Sequence, residues 1–89
     1  MSWAYQFEGE ALRELKALDR EAQRRIVRYL DTRIAGEASP RRFGTPLGGD
    51  LHGLWRWRVG DYRMVGRILD SVVLVSVVRV GHRRDVYDF

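Results

Sequence analysis

The chain has 89 residues, no cysteine, and 16 basic against 12 acidic side chains, for a formal net charge of +4. This length predicts one domain, residues 1–89, and the lack of cysteine excludes disulfides, thiol nucleophiles and thiolate metal sites. The 45% hydrophobic content excludes a disordered chain, and no apolar run reaches the roughly 18 residues that span a bilayer.

The first half of the chain predicts a strand followed by a helical hairpin. Trp3, Tyr5 and Phe7 alternate with small or polar residues, which is the period of a half-buried strand. Leucines at helical spacing predict a first helix through about residue 18, and Asp19 is a suitable N-cap for a second. The buried stripe of the second helix recurs every four residues and comprises Ala22, Ile26, Leu30 and Ile34. We expect the arginines on its opposite side to form a solvated polar face.

The second half predicts three strands. Residues 36–50 are rich in Gly and Pro and predict a loop. Gly60-Asp61 is a two-residue hairpin signal before the strand 62–69, and Asp70-Ser71 marks a second turn before an apolar strand over 72–80. The order β-α-α-β-β-β predicts an α+β fold. It is a two-layer sandwich of an N-terminal strand, a two-helix hairpin and a three-stranded antiparallel meander.

The hairpin turn fixes which side chains share a face. With Val59 opposite Tyr62, Arg58 faces Arg63, and by extension Arg56 faces Val65 and Leu54 faces Arg67. One face then carries Arg56, Arg58, Arg63 and Arg67. The core face carries Trp55, Trp57, Val59, Tyr62, Met64 and Ile68. In the last strand we expect Leu74, Ser76 and Val78 on the arginine face, and Val73, Val75 and Val77 in the core.

Charge is distributed unevenly along the chain. Residues 1–40 hold seven basic and seven acidic side chains, whereas residues 41–89 hold nine arginines and five aspartates. Like charges opposite each other in an antiparallel pair destabilise a sheet by a few tenths to about 1 kcal/mol. Two interpretations remain: a solvated face whose arginines splay apart or are bridged by aspartates, and a site that holds an anion. We expect the anion site.

Three segments resemble one known family. Residues 51–63, LHGLWRWRVGDYR, resemble the signature L-x-G-x-x-R-x-R-x-G-x-Y-R of the RelE/ParE toxin superfamily. Residues 80–87, VGHRRDVY, resemble the C-terminal motif of its RelE-like branch, and residues 43–47 resemble the short element that precedes the signature. The resemblance covers essentially the whole chain.

The resemblance implies a toxin of a type II toxin–antitoxin system. RelE-like members are ribosome-dependent endoribonucleases that cut messenger RNA in the decoding site, through attack of a ribose 2′-hydroxyl on the adjacent phosphate. The implied partners are a cognate RelB-like antitoxin and the ribosome with its message, with no membrane, no cofactor and no metal. The two histidines, without cysteine or carboxylates at ligand spacing, do not form the pattern of a zinc site. Since no signal-peptide pattern opens the chain, we expect a cytoplasmic protein.

The resemblance also assigns roles to individual residues. Arg56 and Arg58 match the basic pair of the second strand, and Arg63 matches the arginine that binds the phosphate. Arg83 matches the residue near the leaving group, and Tyr87 matches the tyrosine that orients the substrate base. Additional phosphate contacts are expected from Arg67 and Arg84.

One departure from the family pattern concerns proton transfer. The basic pair is lysine in the best-known members and arginine here, and arginine stays protonated in proteins, so it is a poor base. We therefore expect proton transfer from His82, from water or from ribosomal RNA. Two other functions remain open: a ParE-like inhibitor of DNA gyrase without nuclease activity, and a catalytically inactive member that only binds RNA or the antitoxin.

Overall fold

A computed structural model describes residues 2–83, in which two helices pack on one face of a five-stranded sheet. The helices are α1 (Gly9–Ala17) and α2 (Arg20–Tyr29). The strands are β1 (Ala4–Phe7), β2 (Thr45–Pro46), β3 (Trp55–Val59), β4 (Tyr62–Leu69) and β5 (Leu74–His82). Their order across the sheet is β1-β5-β4-β3-β2, with β1 parallel to β5 and the other neighbours antiparallel. The α+β sandwich is confirmed. No helix within residues 2–83 has the length and apolar character to cross a membrane.

The edge strand β2 is missing from the predicted order of elements. Thr45 pairs with Arg56 and Pro46 pairs with Trp55, inside the segment that the sequence predicts as a loop. A strand of two residues shows no alternation, and a proline is tolerated only at the edge of a sheet. The prediction of an irregular loop is therefore wrong at this point.

The helical hairpin forms as its sequence predicts. The Asp19 carboxylate accepts a hydrogen bond from the Ala22 amide at 2.8 Å and caps α2. Beyond α2 the chain continues into a π-helical turn, Leu30–Ile34, which ends just before Gly36 in a left-handed conformation with φ of +115°. The predicted stripe lies fully in the core, with Ala22, Ile26, Leu30 and Ile34 all buried.

The β3–β4 hairpin has the predicted register. Val59 pairs with Tyr62, Arg58 with Arg63, and Arg56 with Val65. The strand β3 begins at Trp55, so the predicted pair of Leu54 and Arg67 does not form. On the core face Trp57, Val59 and Met64 are buried, and Trp55, Tyr62 and Ile68 pack against them.

A bulge in β5 changes the faces of the last strand. Val65 pairs with Arg79 and Gly66 pairs with Val77, which leaves Val78 without a partner on β4. Up to Val77 the side chains of β5 alternate between the core face and the arginine face as predicted. Beyond the bulge each residue lies on the face opposite to the one that unbroken alternation predicts. Because Val78 has no partner that fixes its face, its expected place on the arginine face stays a prediction.

Beyond the bulge, Val80 is buried in the core and Arg79 shares the arginine face. The prediction that Val73 lies in the core is wrong, because a 3-10 turn over Asp70–Val72 replaces the start of the strand. Val73 follows that turn at a φ of +53°.

At Gly66 the backbone of β5 lies very close to β4. A Cβ atom there would lie 2.7 Å from the backbone oxygen of Ser76 and 3.3 Å from the Cα of Val77. These are backbone atoms within a sheet, so they cannot move aside without breaking the ladder.

We expect Gly66→Ala to lower the free energy of unfolding by about 1–3 kcal/mol, the usual cost of an overpacked site. Urea unfolding measures the change. Gly9→Ala is the matched control, because nothing lies within 4 Å of its added Cβ. An equal urea midpoint for the two variants would contradict the close approach at Gly66.

Candidate anion-binding site

Four arginines meet at one end of the sheet. Arg58 and Arg63 lie directly opposite each other across the hairpin, and Arg56 precedes Arg58 on the same face of β3. Arg83 follows β5, where its amide donates a hydrogen bond to the Asp61 carbonyl oxygen at 2.7 Å. We call this set the arginine cluster: Arg56, Arg58, Arg63 and Arg83.

The cluster is electrostatically coupled. The pKa of the Arg63 guanidinium is lowered, and burial is the largest cause. The next causes, in decreasing size, are the positive charges of Arg58, Arg56 and Arg83. Asp61 opposes the shift with the smallest contribution. The three neighbouring arginines therefore raise the free energy of the charged form of Arg63, and an anion among them would reverse this effect.

Donors of the cluster are also incompletely satisfied. Arg63 donates from Nη1 to two neutral backbone oxygens, of Tyr62 at 3.1 Å and of Gly60 at 3.3 Å. The buried Nε of Arg56 has no hydrogen-bond acceptor among residues 2–83. Leaving a buried donor unpaired costs about 1–3 kcal/mol or more. An oxyanion seated between these side chains would supply the missing acceptor.

Other arginines are neutralised by carboxylates of the same chain. Arg41 pairs with Asp70 through two hydrogen bonds of 2.9 and 2.8 Å, and Arg79 pairs with Glu14. Within residues 2–83, no carboxylate lies within 4.0 Å of a guanidinium nitrogen of the arginine cluster. The acidic residues thus stabilise the fold and leave the cluster cationic.

Arg67 is one of these neutralised arginines. Its Nη1 lies 2.8 Å from the Glu8 carboxylate, which also accepts a hydrogen bond from the Ser76 hydroxyl at 2.9 Å. Four residues of extended strand, about 13 Å, separate it from Arg63. The structure therefore does not bring Arg67 into the cluster, although the sequence predicts it as a phosphate contact.

His82 lies on the opposite face from the cluster. It pairs with Tyr62, and the two rings meet edge to face with centroids 5.7 Å apart, while the neighbouring Gly81 pairs with Arg63. The bulge at Val78 is the physical reason, because it shifts the alternation of β5 by one residue. The structure thus separates the His82 side chain from the arginines that it was expected to assist.

Two other expected site residues, Arg84 and Tyr87, lie outside the described residues. Within residues 2–83 no group of three or more His, Cys, Asp or Glu side chains is arranged to hold a metal ion.

Glu14 is a structural residue that the sequence reasoning missed. It accepts hydrogen bonds from Arg79 Nε at 3.0 Å and from the Val80 amide at 2.9 Å. This ion pair raises the pKa of Arg79, chiefly through the hydrogen bond. The available signal was its position on α1, three residues after Ala11 and four before Leu18, on the buried side of the helix. Glu14 fixes α1 against β5 just beyond the bulge.

Comparisons with known proteins extend over nearly the whole chain. A family model described as the ParE toxin of type II toxin–antitoxin systems, parDE, matches residues 5–87. Toxin RelG of Mycobacterium tuberculosis strain ATCC 25618 / H37Rv is 33% identical over 87 residues, covering 98% of both chains.

Solved structures agree with this match. The toxin–antitoxin complex RelBE2 from Mycobacterium tuberculosis contains a chain with 30% identity and a TM-score of 0.85, covering 93% of this chain and 100% of that one. An archaeal RelE–RelB complex from Pyrococcus horikoshii OT3 has 22% identity and a TM-score of 0.64, covering 93% and 97%. At that identity the second likeness shows the fold alone.

We expect Arg58→Gln to stabilise the protein in the absence of a ligand. Removing one of two opposed guanidinium charges relieves a repulsion of a few tenths to about 1 kcal/mol, and salt should screen the gain. Thermal or urea unfolding at low and high salt measures it. Arg67→Gln is the matched control on the same face, and it should give no gain because it breaks the pair with Glu8. If Arg58→Gln destabilises the protein as much as the control does, the cluster is not under repulsion.

Proposed function

We propose that this chain, which belongs to the family of ParE toxins of type II toxin–antitoxin systems and is RelE-like, cleaves messenger RNA in the decoding site of the ribosome. The observation behind the proposal is the arginine cluster, which has four positive charges, an unpaired buried donor, and no carboxylate partner within residues 2–83. A phosphodiester matches this cluster, because its negative charge pairs with the guanidinium groups and its oxygens accept their hydrogen bonds.

The reaction in the proposal forms a bond from the ribose 2′-oxygen to phosphorus and breaks the bond to the leaving 5′-oxygen, giving a 2′,3′-cyclic phosphate. Arg63 holds the scissile phosphate, and Arg56 and Arg58 stabilise the charge that develops on the phosphorane. Arg83 lies near the leaving oxygen. The roles of Tyr87 and Arg84, to orient the substrate base and bind phosphate, rest on the family resemblance.

Proton transfer is the step that the cluster does not perform. Arginine is not a base at neutral pH, and His82 lies on the other face of the sheet. The proton on the 2′-hydroxyl therefore goes to water or to a group of ribosomal RNA, and the leaving 5′-oxygen takes up a proton from the same sources. This makes the ribosome part of the catalytic apparatus, because alignment of message and base lowers most of the barrier.

The partner in the proposal is a RelB-like antitoxin. Its inhibitory segment carries acidic side chains that pair with the arginine cluster and exclude the message. The structural relatives named above come from toxin–antitoxin complexes.

A second function, inhibition of DNA gyrase, is favoured by the description of the matching family model as the ParE toxin. Gyrase inhibition needs a binding surface and no phosphate-cleaving geometry. A catalytically inactive member that binds RNA or the antitoxin is the third alternative. One pair of assays distinguishes the three.

We expect primer extension on a message translated in vitro to show cleavage that depends on ribosomes. Arg63→Ala should lower the rate by about 10²–10³-fold, the usual cost of losing one preorganised charge donor. Arg67→Gln should retain most of the rate, because Glu8 already engages that arginine.

Three results would contradict the proposal. Efficient cleavage of purified RNA without ribosomes would show that the chain provides its own base. Absence of cleavage together with inhibition of gyrase supercoiling would favour the ParE-like function, and absence of both would favour the inactive member.

A further inference from the structure

A second cationic surface lies on the helical side of the molecule. A cleft of about 300 Å³ opens between α2, the π-helical turn and the β3–β4 turn. Its walls are Arg25, Arg28, Tyr29, Thr32 and Arg33, with Val59 and Gly60 at the end of the hairpin. The sequence predicts a solvated polar face that includes Arg28, but the fold groups Arg28 with Arg25 and Arg33 around one concavity.

The cleft has no internal counter-charge. No carboxylate lines it, and within residues 2–83 none of Arg25, Arg28 and Arg33 has a carboxylate within 4.0 Å. Asp31, the nearest acid along the chain to Arg28 and Arg33, accepts a hydrogen bond from the Tyr5 hydroxyl at 2.6 Å. Arg25 shares a neighbouring pocket with Asp19 and Glu21 but forms no ion pair with either. These arginines thus differ from Arg41, Arg67 and Arg79, each of which the chain neutralises.

Aromatic rings accompany the charges. Tyr29 lines the cleft, and burial raises the pKa of its hydroxyl, which therefore remains a hydrogen-bond donor at neutral pH. Beyond Arg33, the ring of Phe43 is 37% exposed and lies under two guanidinium groups, of Arg33 at 5.3 Å and of Arg42 at 5.4 Å. The Phe43 ring thus holds the guanidinium planes of Arg33 and Arg42, and RNA bases stack on such planes as they do on aromatic rings.

The cleft and the arginine cluster are separated only by the hairpin turn. Gly60 lies at the rim of the cleft, with Arg25 Nη1 3.5 Å from the position of a Cβ atom on Gly60. Arg58 and Arg63 flank the same turn on the other face of the sheet. One polyanion that passes around the turn can therefore contact both surfaces.

We propose that this cleft is a second binding site for the phosphate backbone of RNA, separate from the arginine cluster. The inference rests on the proposed function only in taking RNA as the polyanion. The cleft adds affinity and holds the chain in one orientation, while the cluster contacts the reacting phosphate. An acidic peptide could satisfy the charges, but it has no bases to stack on the Tyr29 ring and the guanidinium planes, so RNA is the occupant that the surface favours.

The test is fluorescence anisotropy of a labelled, fully 2′-O-methylated RNA strand, which cannot be cleaved, binding to the full chain at several salt concentrations. The cleft variant is Arg25→Gln, Arg28→Gln and Arg33→Gln combined. Its matched control is Lys16→Gln, Arg20→Gln and Arg24→Gln combined, which removes three positive charges outside the cleft that also have no carboxylate partner within residues 2–83. Circular dichroism melting verifies that both variants are folded.

We expect the slope of log affinity against log salt to fall by about 2 for the cleft variant, at about 0.7 per lost phosphate contact, and to change little for the control. Equal falls for the two variants would overturn the proposal, because the effect would be one of net charge alone. A polyglutamate peptide is the second probe. Loss of peptide binding with an unchanged RNA slope would also overturn it, in favour of an acidic protein partner.

The binding measurement is independent of catalysis. It uses no ribosomes and an uncleavable strand, so failure of the cleavage assay leaves its result intact. Conversely, cleavage with an unchanged slope in the cleft variant would refute the second site and leave the proposed function standing.

Discussion

Val78 has no partner on β4, and this bulge determines which side chains of β5 lie on the same face of the sheet as the arginine cluster. Before it, Ser76 shares a face with Arg67; after it, Arg79 and Gly81 take that face, and Val80 and His82 turn towards the core side. Gly66 permits the bulge, because any larger residue would collide with the backbone of β5. Without the bulge, His82 would lie beside the arginine cluster and Val80 would leave the core. Which side chains of β5 face the arginine cluster and which face the core therefore depends on one local distortion of the ladder.

Three carboxylates hold separate elements of the fold together. Glu14 fixes α1 to β5, Glu8 joins Arg67 to Ser76, and Asp70 holds Arg41 over Trp55 at 5.6 Å. The arginines of two surfaces that meet at the β3–β4 turn, the arginine cluster and the cleft, have no carboxylate within 4.0 Å among residues 2–83. Retaining mutually repulsive charges costs stability, and an anionic partner recovers it by binding the folded state. Under the proposed function that partner is RNA or the antitoxin.

Local signals made much of this structure predictable from the sequence. The Gly60-Asp61 turn set the register that places Arg58 against Arg63, and the four-residue repeat from Ala22 to Ile34 identified the buried face of the second helix. The bulge was not predictable, because a run of valines looks alike on either face of a strand. The cleft was not predictable either, since it depends on how α2 packs beside a turn about 30 residues later in the chain.

In the proposed function the arginine cluster binds the scissile phosphate of the messenger RNA. The most direct measurement is a structure of the protein bound to a ribosome whose message carries a 2′-O-methyl group at the cleavage site. We expect the scissile phosphate to lie within hydrogen-bonding distance of Arg63, and one of its oxygens to accept a hydrogen bond from the buried Nε of Arg56. A bound protein whose cluster faces solvent, with the message phosphate held by other side chains, would contradict it.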